Sequence, residues 1–485
     1  MNNTTALNWI DGEWMDSIDH KNSINPATYE VIGSYADGGL HAATAAIASA
    51  KKAFHTSPWK DDRSLRAKVL NELADAFERH TKALVEILSI ENGKVKSEAF
   101  FEVSMVASKL RYYASLVRTE YGRAAEPRPG SFSMVLREPM GVAGIIVPWN
   151  SPVVLMIRSL APALAAGCTA VVKMPGQTAQ TNALIAKVMS EALALPRGVI
   201  NLFSEAGAEG SKWMIESPDV PTISFTGSTS TGRAISAVGA KHLKRFGLEL
   251  GGKTPMIVFN DADLNLALPK IEKALTVFSG QFCMTGSRLL VQRSIADTVR
   301  TQLSARLQAV KVGPASDAGS DMGPLIDKQN VDRVDKIVQD AIAVGAKVLV
   351  RGGPVTKGPL ARGAFYQPTL LEVNDPDMDI VQKETFGPVL TLHVFDTEAE
   401  AIELANNSEY GLAASVWTQD LNRSLRVARK VEAGTVWIND WAVVYDEFEE
   451  GGYKQSGLGR LNGVAAIDDF VQYKHIAIRP SEVVN

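Results

Sequence analysis

From Asp61 to Glu91 the apolar positions Leu65, Val69, Leu70, Leu73, Phe77, Leu84, Val85 and Leu88 recur at intervals of three and four residues. That spacing lines one face of an α-helix. A break is expected near His80-Thr81, and Asn92-Gly93 ends the pattern. A second helical run passes through Met105 and Tyr113. Pro127-Arg128-Pro129-Gly130 then forms a turn signal ahead of the strand-like Phe132-Ser133-Met134-Val135-Leu136, which predicts a projecting hairpin. Beyond Gly141 the texture changes to short β-rich runs at 144–147, 170–172, 199–203 and 222–225, separated by helical patterns. Such alternation indicates a parallel, doubly wound sheet. A second alternating series follows Cys283, with strands near 289–291, 348–350, 389–392 and 435–438. Two α/β domains are the economical reading.

Composition narrows the class. The chain has 485 residues, 46% of them apolar and 21% charged, the balance of a soluble globular protein. Fifty basic against fifty-four acidic residues give −4 without a block of like charge, which speaks against nucleic acid or an anionic membrane as partner. The most apolar stretch, Val153 to Val172, is interrupted by Arg158, Ser159, Pro162 and Gly167. It predicts a buried helix followed by a strand, not a membrane span. Asp11 and Glu13 fall where a signal core would lie, so a cytoplasmic protein is expected. Only two cysteines occur, Cys168 and Cys283. A disulfide scaffold and a cysteine-based zinc site are thereby excluded, and no metal is expected.

Two motifs compete to explain the chemistry. Gly247-Leu248-Glu249-Leu250-Gly251-Gly252-Lys253-Thr254 matches the phosphate-loop pattern letter for letter. A phosphate loop must lead from a strand into a helix, whose N-terminus holds the anion. Here Pro255 follows at once and Met256-Ile257-Val258-Phe259 is strand-like, so a P-loop nucleotidase is the weaker alternative. Gly227-Ser228-Thr229-Ser230-Thr231-Gly232 follows a strand and opens a helical run, a setting that attracts a diphosphate without that motif. Cys168 has only small or apolar neighbours and is expected to be structural. Cys283 lies in Phe278-Ser279-Gly280-Gln281-Phe282-Cys283-Met284-Thr285-Gly286, where glycines let other groups come close. The seven histidines form no dense motif, so a base other than histidine is indicated for it.

Several motifs together resemble the aldehyde dehydrogenase superfamily, from Asn25-Pro26-Ala27-Thr28 almost to the C-terminus. They are Pro148-Trp149-Asn150-Ser151-Pro152, Val171-Val172-Lys173, Phe225-Thr226-Gly227-Ser228-Thr229, Leu248-Glu249-Leu250-Gly251-Gly252-Lys253, Gly280-Gln281-Phe282-Cys283, Lys383-Glu384-Thr385-Phe386-Gly387-Pro388 and Gly451-Gly452-Tyr453-Lys454-Gln455-Ser456-Gly457. The resemblance implies a Rossmann-like NAD(P)-binding domain over 1–125 and 142–250, and a catalytic domain over 251–440. It also implies a small β oligomerisation element over 126–141 and 465–485, through which members form homodimers or homotetramers. By similarity, Cys283 is the nucleophile, Asn150 the oxyanion donor and Glu249 the base that hydrolyses the thioester. Glu249 also argues against transfer to coenzyme A. Trp149 and Ser228 are implied at the diphosphate, Lys173 at the adenosine ribose, and Glu384 with Phe386 at the nicotinamide ribose.

Departures from the family pattern carry information. NAD-preferring relatives have a glutamate three residues after the lysine, where this chain has Gly176; use of NADP as well as NAD is therefore expected. Many relatives carry a lysine and a glutamate near the base as a proton exit, and the matching positions are Ser159 and Leu461. Asn201-Leu202-Phe203-Ser204-Glu205-Ala206-Gly207 lacks the usual glycine-rich turn. The implied aldehyde tunnel comprises Ser151, Leu155, Arg158, Phe282, Trp441, Tyr445 and Phe448, a mostly apolar and aromatic set. It predicts medium-length aliphatic or aromatic aldehydes. Asp446, Glu447, Glu449 and Glu450 in the same loop leave a cationic amino-aldehyde or betaine aldehyde as the alternative.

Overall fold

A computed structural model describes residues 5–479. The predicted amphipathic run forms two helices, Arg63–Arg79 and Thr81–Asn92, with the break at His80. Asp62 caps the first by accepting the Leu65 N–H, and Gly93 ends the second with φ 85°, the left-handed region that glycine enters without a Cβ clash. Together with Lys96–Leu116 they pack Leu70, Leu73, Phe77, Leu88 and Leu110 against the helix Pro152–Ala166. Every residue of Pro152–Ala166 is buried, Arg158 included. Each large apolar side chain so enclosed contributes about 1.5–3 kcal/mol.

Those helices cover one face of an eight-stranded sheet. Its spatial order is Gly457–Leu458, Arg245–Glu249, Thr222–Thr226, Val142–Ile146, Thr169–Pro175, Ile200–Glu205, Asn8–Ile10 and Glu13–Met15. The five strands from Arg245–Glu249 to Ile200–Glu205 are parallel, Gly457–Leu458 and Asn8–Ile10 run antiparallel to them, and Glu13–Met15 pairs antiparallel with Asn8–Ile10. Chain order reverses between Val142–Ile146 and Thr222–Thr226. In a doubly wound sheet the loops diverge at that reversal and leave a crevice beyond the strand ends. The second sheet has seven strands, of which only Lys347–Val350 is antiparallel. Thr254–Val258 is one of its central strands, so Lys253-Thr254 does enter a strand. The phosphate-loop alternative fails on that point.

The hairpin is present but longer than its sequence signal. Gly122–Arg128 and Ser131–Pro139 pair antiparallel, and Val471–Ile478 joins them to complete a three-stranded sheet. It begins at Gly122 because Arg123, Ala124 and Ala125 pair with Val135, Met134 and Ser133. The expected oligomerisation segment 465–485 runs past residue 479, so its last six residues lie outside the described ones. Cys168 is fully buried with its Sγ against the Phe470 carbonyl at 3.3 Å, beneath the Trp59 indole that bonds its own carbonyl at 2.9 Å. Its surroundings are those of a packing residue. Among the described residues no helix is long and apolar enough to cross a membrane.

Candidate active site

The crevice at the strand reversal holds a cavity of about 320 Å³ lined by Pro148, Trp149, Asn150, Thr226, Gly227, Ser228, Glu249, Cys283, Glu384 and Phe386. A second cavity, about 900 Å³, is lined by Ser151, Leu155, Arg158, Phe278, Phe282, Cys283, Trp441 and Tyr445 among others. Cys283 lines both. Its placement follows from the backbone before it. Phe278, Ser279 and Gly280 take φ of 50°, 57° and 71° in succession and turn the chain sharply after the helix Leu264–Thr276. A Cβ on Gly280 would lie 2.3 Å from the Gly387 carbonyl carbon, so only glycine fits.

Asn150 is anchored to the same turn. Its Nδ2 donates to the Gln281 carbonyl at 3.0 Å, while Gln281 is itself fixed by Phe278 and Ile326. One amide hydrogen is used and the other remains free beside the thiol. Cys283 is partly open to the cavities, yet loss of hydration pushes its thiol up to about 12, against the pull of the Arg158 charge. Burial thus favours the neutral thiol over the thiolate. Glu249, at the end of its strand, is buried, and neither oxygen has a hydrogen-bond partner; the Gly452 N–H approaches without closing a bond. Burial pushes this carboxyl up to about 7, the Arg158 guanidinium opposing. A carboxylate poised near neutrality and free of competing donors is suited to accept a proton.

On the crevice side, Ser228 caps the helix Thr229–Gly239 by accepting the Thr231 N–H at 3.3 Å, which leaves an anion-attracting helix N-terminus at the cavity wall. Trp149 meets Phe386 edge to face at 5.6 Å, and Phe386 is held at φ 49°. Glu384 accepts the Gly252 N–H at 3.1 Å and is pushed up to about 7 by burial. Lys253, the lysine of the false phosphate loop, instead bonds Thr385 at 3.1 Å and is depressed to about 7 by burial. Lys173 and Gly176 do not line the cavity; they lie one strand along, at the end of Thr169–Pro175. Gly176 has a steric cause, since a Cβ there would lie 2.3 Å from the Tyr35 hydroxyl. In the segment that lacks the family's usual glycine-rich turn, Glu205 accepts the N–H groups of Gly210 and Ser211 at 2.5 and 3.2 Å and holds the start of the helix Glu209–Glu216.

Of the implied tunnel residues, Ser151, Leu155, Arg158, Phe282, Trp441 and Tyr445 line the larger cavity. Phe448 does not. It is 69% exposed and its ring meets that of Tyr445 edge to face at 6.1 Å, although Glu447 beside it does line the cavity. The acidic loop is also less free than its composition suggests. Asp446 pairs with Lys109 at 2.6 Å, Glu449 accepts the Ala465 N–H at 3.1 Å, and Glu450 pairs with Arg158 at 3.1 Å. Two buried ion pairs escaped the sequence reading. Glu102 is buried, pairs with Lys94 and caps the helix Pro152–Ala166 through the Val153 N–H at 2.9 Å, while Lys94 reaches Ser151 at 3.0 Å. The other is Glu450 with Arg158, where the sequence showed only an acidic loop residue. Neither pair has a local signal, since a glutamate's role becomes informative only when its distant partner is known.

A thiol at the junction of two cavities, with an amide and an unpaired carboxylate lining one of them, is an arrangement suited to nucleophilic chemistry. Comparison with known proteins agrees. The model of the aldehyde dehydrogenase family matches residues 14–476. Betaine aldehyde dehydrogenase of Bacillus subtilis is 40% identical over 96% of both chains. The mitochondrial succinate-semialdehyde dehydrogenase of Arabidopsis thaliana is 37% identical over 97% of this chain and 88% of its own. A crystal structure of Staphylococcus aureus betaine aldehyde dehydrogenase in complex with NAD+ superposes with a TM-score of 0.95 at 37% identity, covering 99% and 96% of the two chains. The chain belongs to the aldehyde dehydrogenase family. It is an oxidoreductase acting on aldehydes, with the two-domain α/β fold of its solved relatives.

Proposed function

We propose that this enzyme oxidises a medium-length aliphatic or aromatic aldehyde to the carboxylic acid through a thioester on Cys283. The observation that carries the reading is the position of Cys283, open to both cavities and flanked by Asn150 and Glu249. The Cys283 sulfur attacks the aldehyde carbon and its proton passes to solvent through the open cavity, so that Glu249 stays free for the later step. The carbonyl oxygen becomes an oxyanion that the free Asn150 N–H and the Cys283 backbone N–H hold; one such donor is worth about 2.7–4 kcal/mol in the transition state. NAD+, when bound, supplies the hydride acceptor. Glu249 then takes a proton from the water that attacks the thioester, the carbon–sulfur bond breaks, and acid leaves.

The crevice fits such a cofactor: the N-terminus of Thr229–Gly239 faces it for a diphosphate, and Trp149, Glu384 and Phe386 wall its inner end. The absence of a carboxylate at Gly176 supports use of NADP+ beside NAD+, with Lys173 and the Tyr35 hydroxyl as the groups near an adenosine ribose. The tunnel wall of Leu155, Phe282, Trp441 and Tyr445 supports an apolar or aromatic aldehyde. Relatives that act on betaine aldehyde by name support a cationic substrate as the second reading. Against it stands the pairing of Asp446 and Glu450 with Lys109 and Arg158. The three-stranded sheet ends in open strand edges, which supports a homodimer or homotetramer joined there. Two cysteines without a bridge support a cytoplasmic location.

The test is nicotinamide reduction over a panel of octanal, benzaldehyde, aminobutyraldehyde and betaine aldehyde, with Cys283→Ala as control. Activity with the uncharged pair, absent in Cys283→Ala, is expected. A marked preference for the cationic pair overturns the substrate ranking, and turnover by Cys283→Ala overturns the mechanism.

A further inference from the structure

The lysine and glutamate expected near the base are missing at Ser159 and Leu461, yet a buried ion pair stands one step away from each. Ser159 accepts only a hydrogen bond from Ser224, at 2.9 Å. Its neighbour Arg158, 6% exposed, donates from Nη1 to Glu450 Oε1 at 3.1 Å. Glu450 is the residue whose backbone N–H and carbonyl pair with those of Leu461, at 2.8 Å each. The charged pair of this chain thus sits at 158 on the same helix and at 450 across the same two-residue bridge. Arg158 Nε and Nη2 are buried without a partner among the described residues, in a side chain that lines the tunnel beside Cys283. Glu450 Oε1 also accepts from Asn462 at 3.0 Å, Asn462 Oδ1 accepts from Lys109 at 2.5 Å, and Lys109 reaches the partly exposed Asp446 at 2.6 Å. A continuous hydrogen-bonded chain therefore runs from Arg158 through Glu450, Asn462 and Lys109 to Asp446.

We propose that Arg158, held by Glu450, is a positioning residue that sets the charge balance at Cys283 and Glu249 in place of the missing lysine–glutamate pair. Two unsatisfied donors inside a buried guanidinium are costly unless the site uses them. Here the Arg158 positive charge favours the thiolate and the ionised base, and Glu450 opposes it. Glu249 and Glu384 also act on Cys283, and Arg460 on Glu249, while Glu98, Glu102, Lys109, Lys270, Lys273, Asp446 and Glu447 line the cavity that Arg158 and Cys283 share. Glu450 thereby moderates an arginine that would otherwise keep the base ionised and too weak to take a proton from water.

The inference rests on the roles proposed for Cys283 and Glu249, and its test separates the two. The rate of Cys283 alkylation by iodoacetamide is followed against pH in the cofactor-free enzyme, beside the acid limb of turnover. Removing the positive charge in Arg158→Met moves both inflections to higher pH by about one unit, and removing the negative charge in Glu450→Gln moves both to lower pH by a similar amount. Arg158→Lys keeps most of the original profile. A purely structural pair would lower the melting temperature of both variants and leave the inflections in place or move them the same way, which overturns the proposal. So does an effect of Arg158→Met confined to the KM of aldehydes that carry a carboxylate, since the guanidinium would then be a substrate contact. Should Arg158→Met not fold, the downward shift in Glu450→Gln is decisive alone. Failure of the base reading shows elsewhere, as undiminished thioester hydrolysis in Glu249→Gln.

Discussion

Replacing Glu249 with glutamine should make the enzyme both slower and more stable, and the two effects share one cause. The carboxyl is buried with no hydrogen bond to either oxygen, and burial raises it from an ordinary 4.5 to about 7. At 1.36 kcal/mol per pH unit, the folded protein bears a cost of about 3 kcal/mol to hold this group ionised. Between pH 4.5 and 7 the folded state binds more protons here than the unfolded chain does. The stability contribution is therefore complete below pH 4.5 and lost as pH rises through 7. A neutral glutamine of the same shape escapes that loss. Glu249→Gln should accordingly be more stable than the parent at pH 8, by up to about 3 kcal/mol, with the difference fading toward pH 4.5. Glu91 and Glu384 are raised in the same way, so only the difference between parent and variant isolates residue 249. Hydrolysis should fall by about 10²- to 10⁴-fold, the usual contribution of a positioned base. One equivalent of reduced nicotinamide per active site should still form in a burst, because hydride leaves before water attacks. Urea unfolding at pH 5 and 8 and stopped-flow absorbance measure the two halves. A variant less stable than the parent at pH 8 would show that the carboxylate is well satisfied. Turnover within fivefold of the parent would remove it as the base.

Two other outcomes follow from the geometry. NADP+ should be used within a thousandfold of NAD+ in kcat/KM; Gly176→Glu should weaken binding of both, because its side chain meets the Tyr35 hydroxyl, and Gly176→Glu paired with Tyr35→Ala should bind NAD+ selectively by calorimetry. A thousandfold NAD+ preference in the parent refutes the dual reading. Sedimentation should show a dimer or tetramer that a proline in Val471–Ile478, such as His475→Pro, shifts toward monomer, since proline removes a ladder N–H and disfavours strand addition. A parent that sediments as a monomer would refute association through this sheet.

Local pattern carried much of the fold because the cues are short-range. The three- and four-residue spacing from Leu65 to Leu88 is a property of one helix face, and Thr254–Val258 was legible as a strand from its own side chains, which sufficed to reject the phosphate loop. Cys283 stood out by its glycine neighbours, and Glu249 entered through the family resemblance. Hairpin length was legible less well, since the polar and small residues Gly122 to Ala125 become a strand only by pairing with Val135 and its neighbours.

What the tertiary structure alone decided depends on partners far apart in the chain. Glu450 meets Arg158 across 292 positions and Asp446 meets Lys109, so half of an acidic cluster that suggests a cation trap is paired internally. Phe448 shares a loop with Tyr445, yet one lines the tunnel and the other faces out, a matter of how the loop turns. Gly176 marks a missing carboxylate in the sequence, and only the fold shows that the Tyr35 hydroxyl takes its space. Residue type and spacing report what a side chain can do. The charge balance and shape it works in are sums over neighbours that only folding brings together.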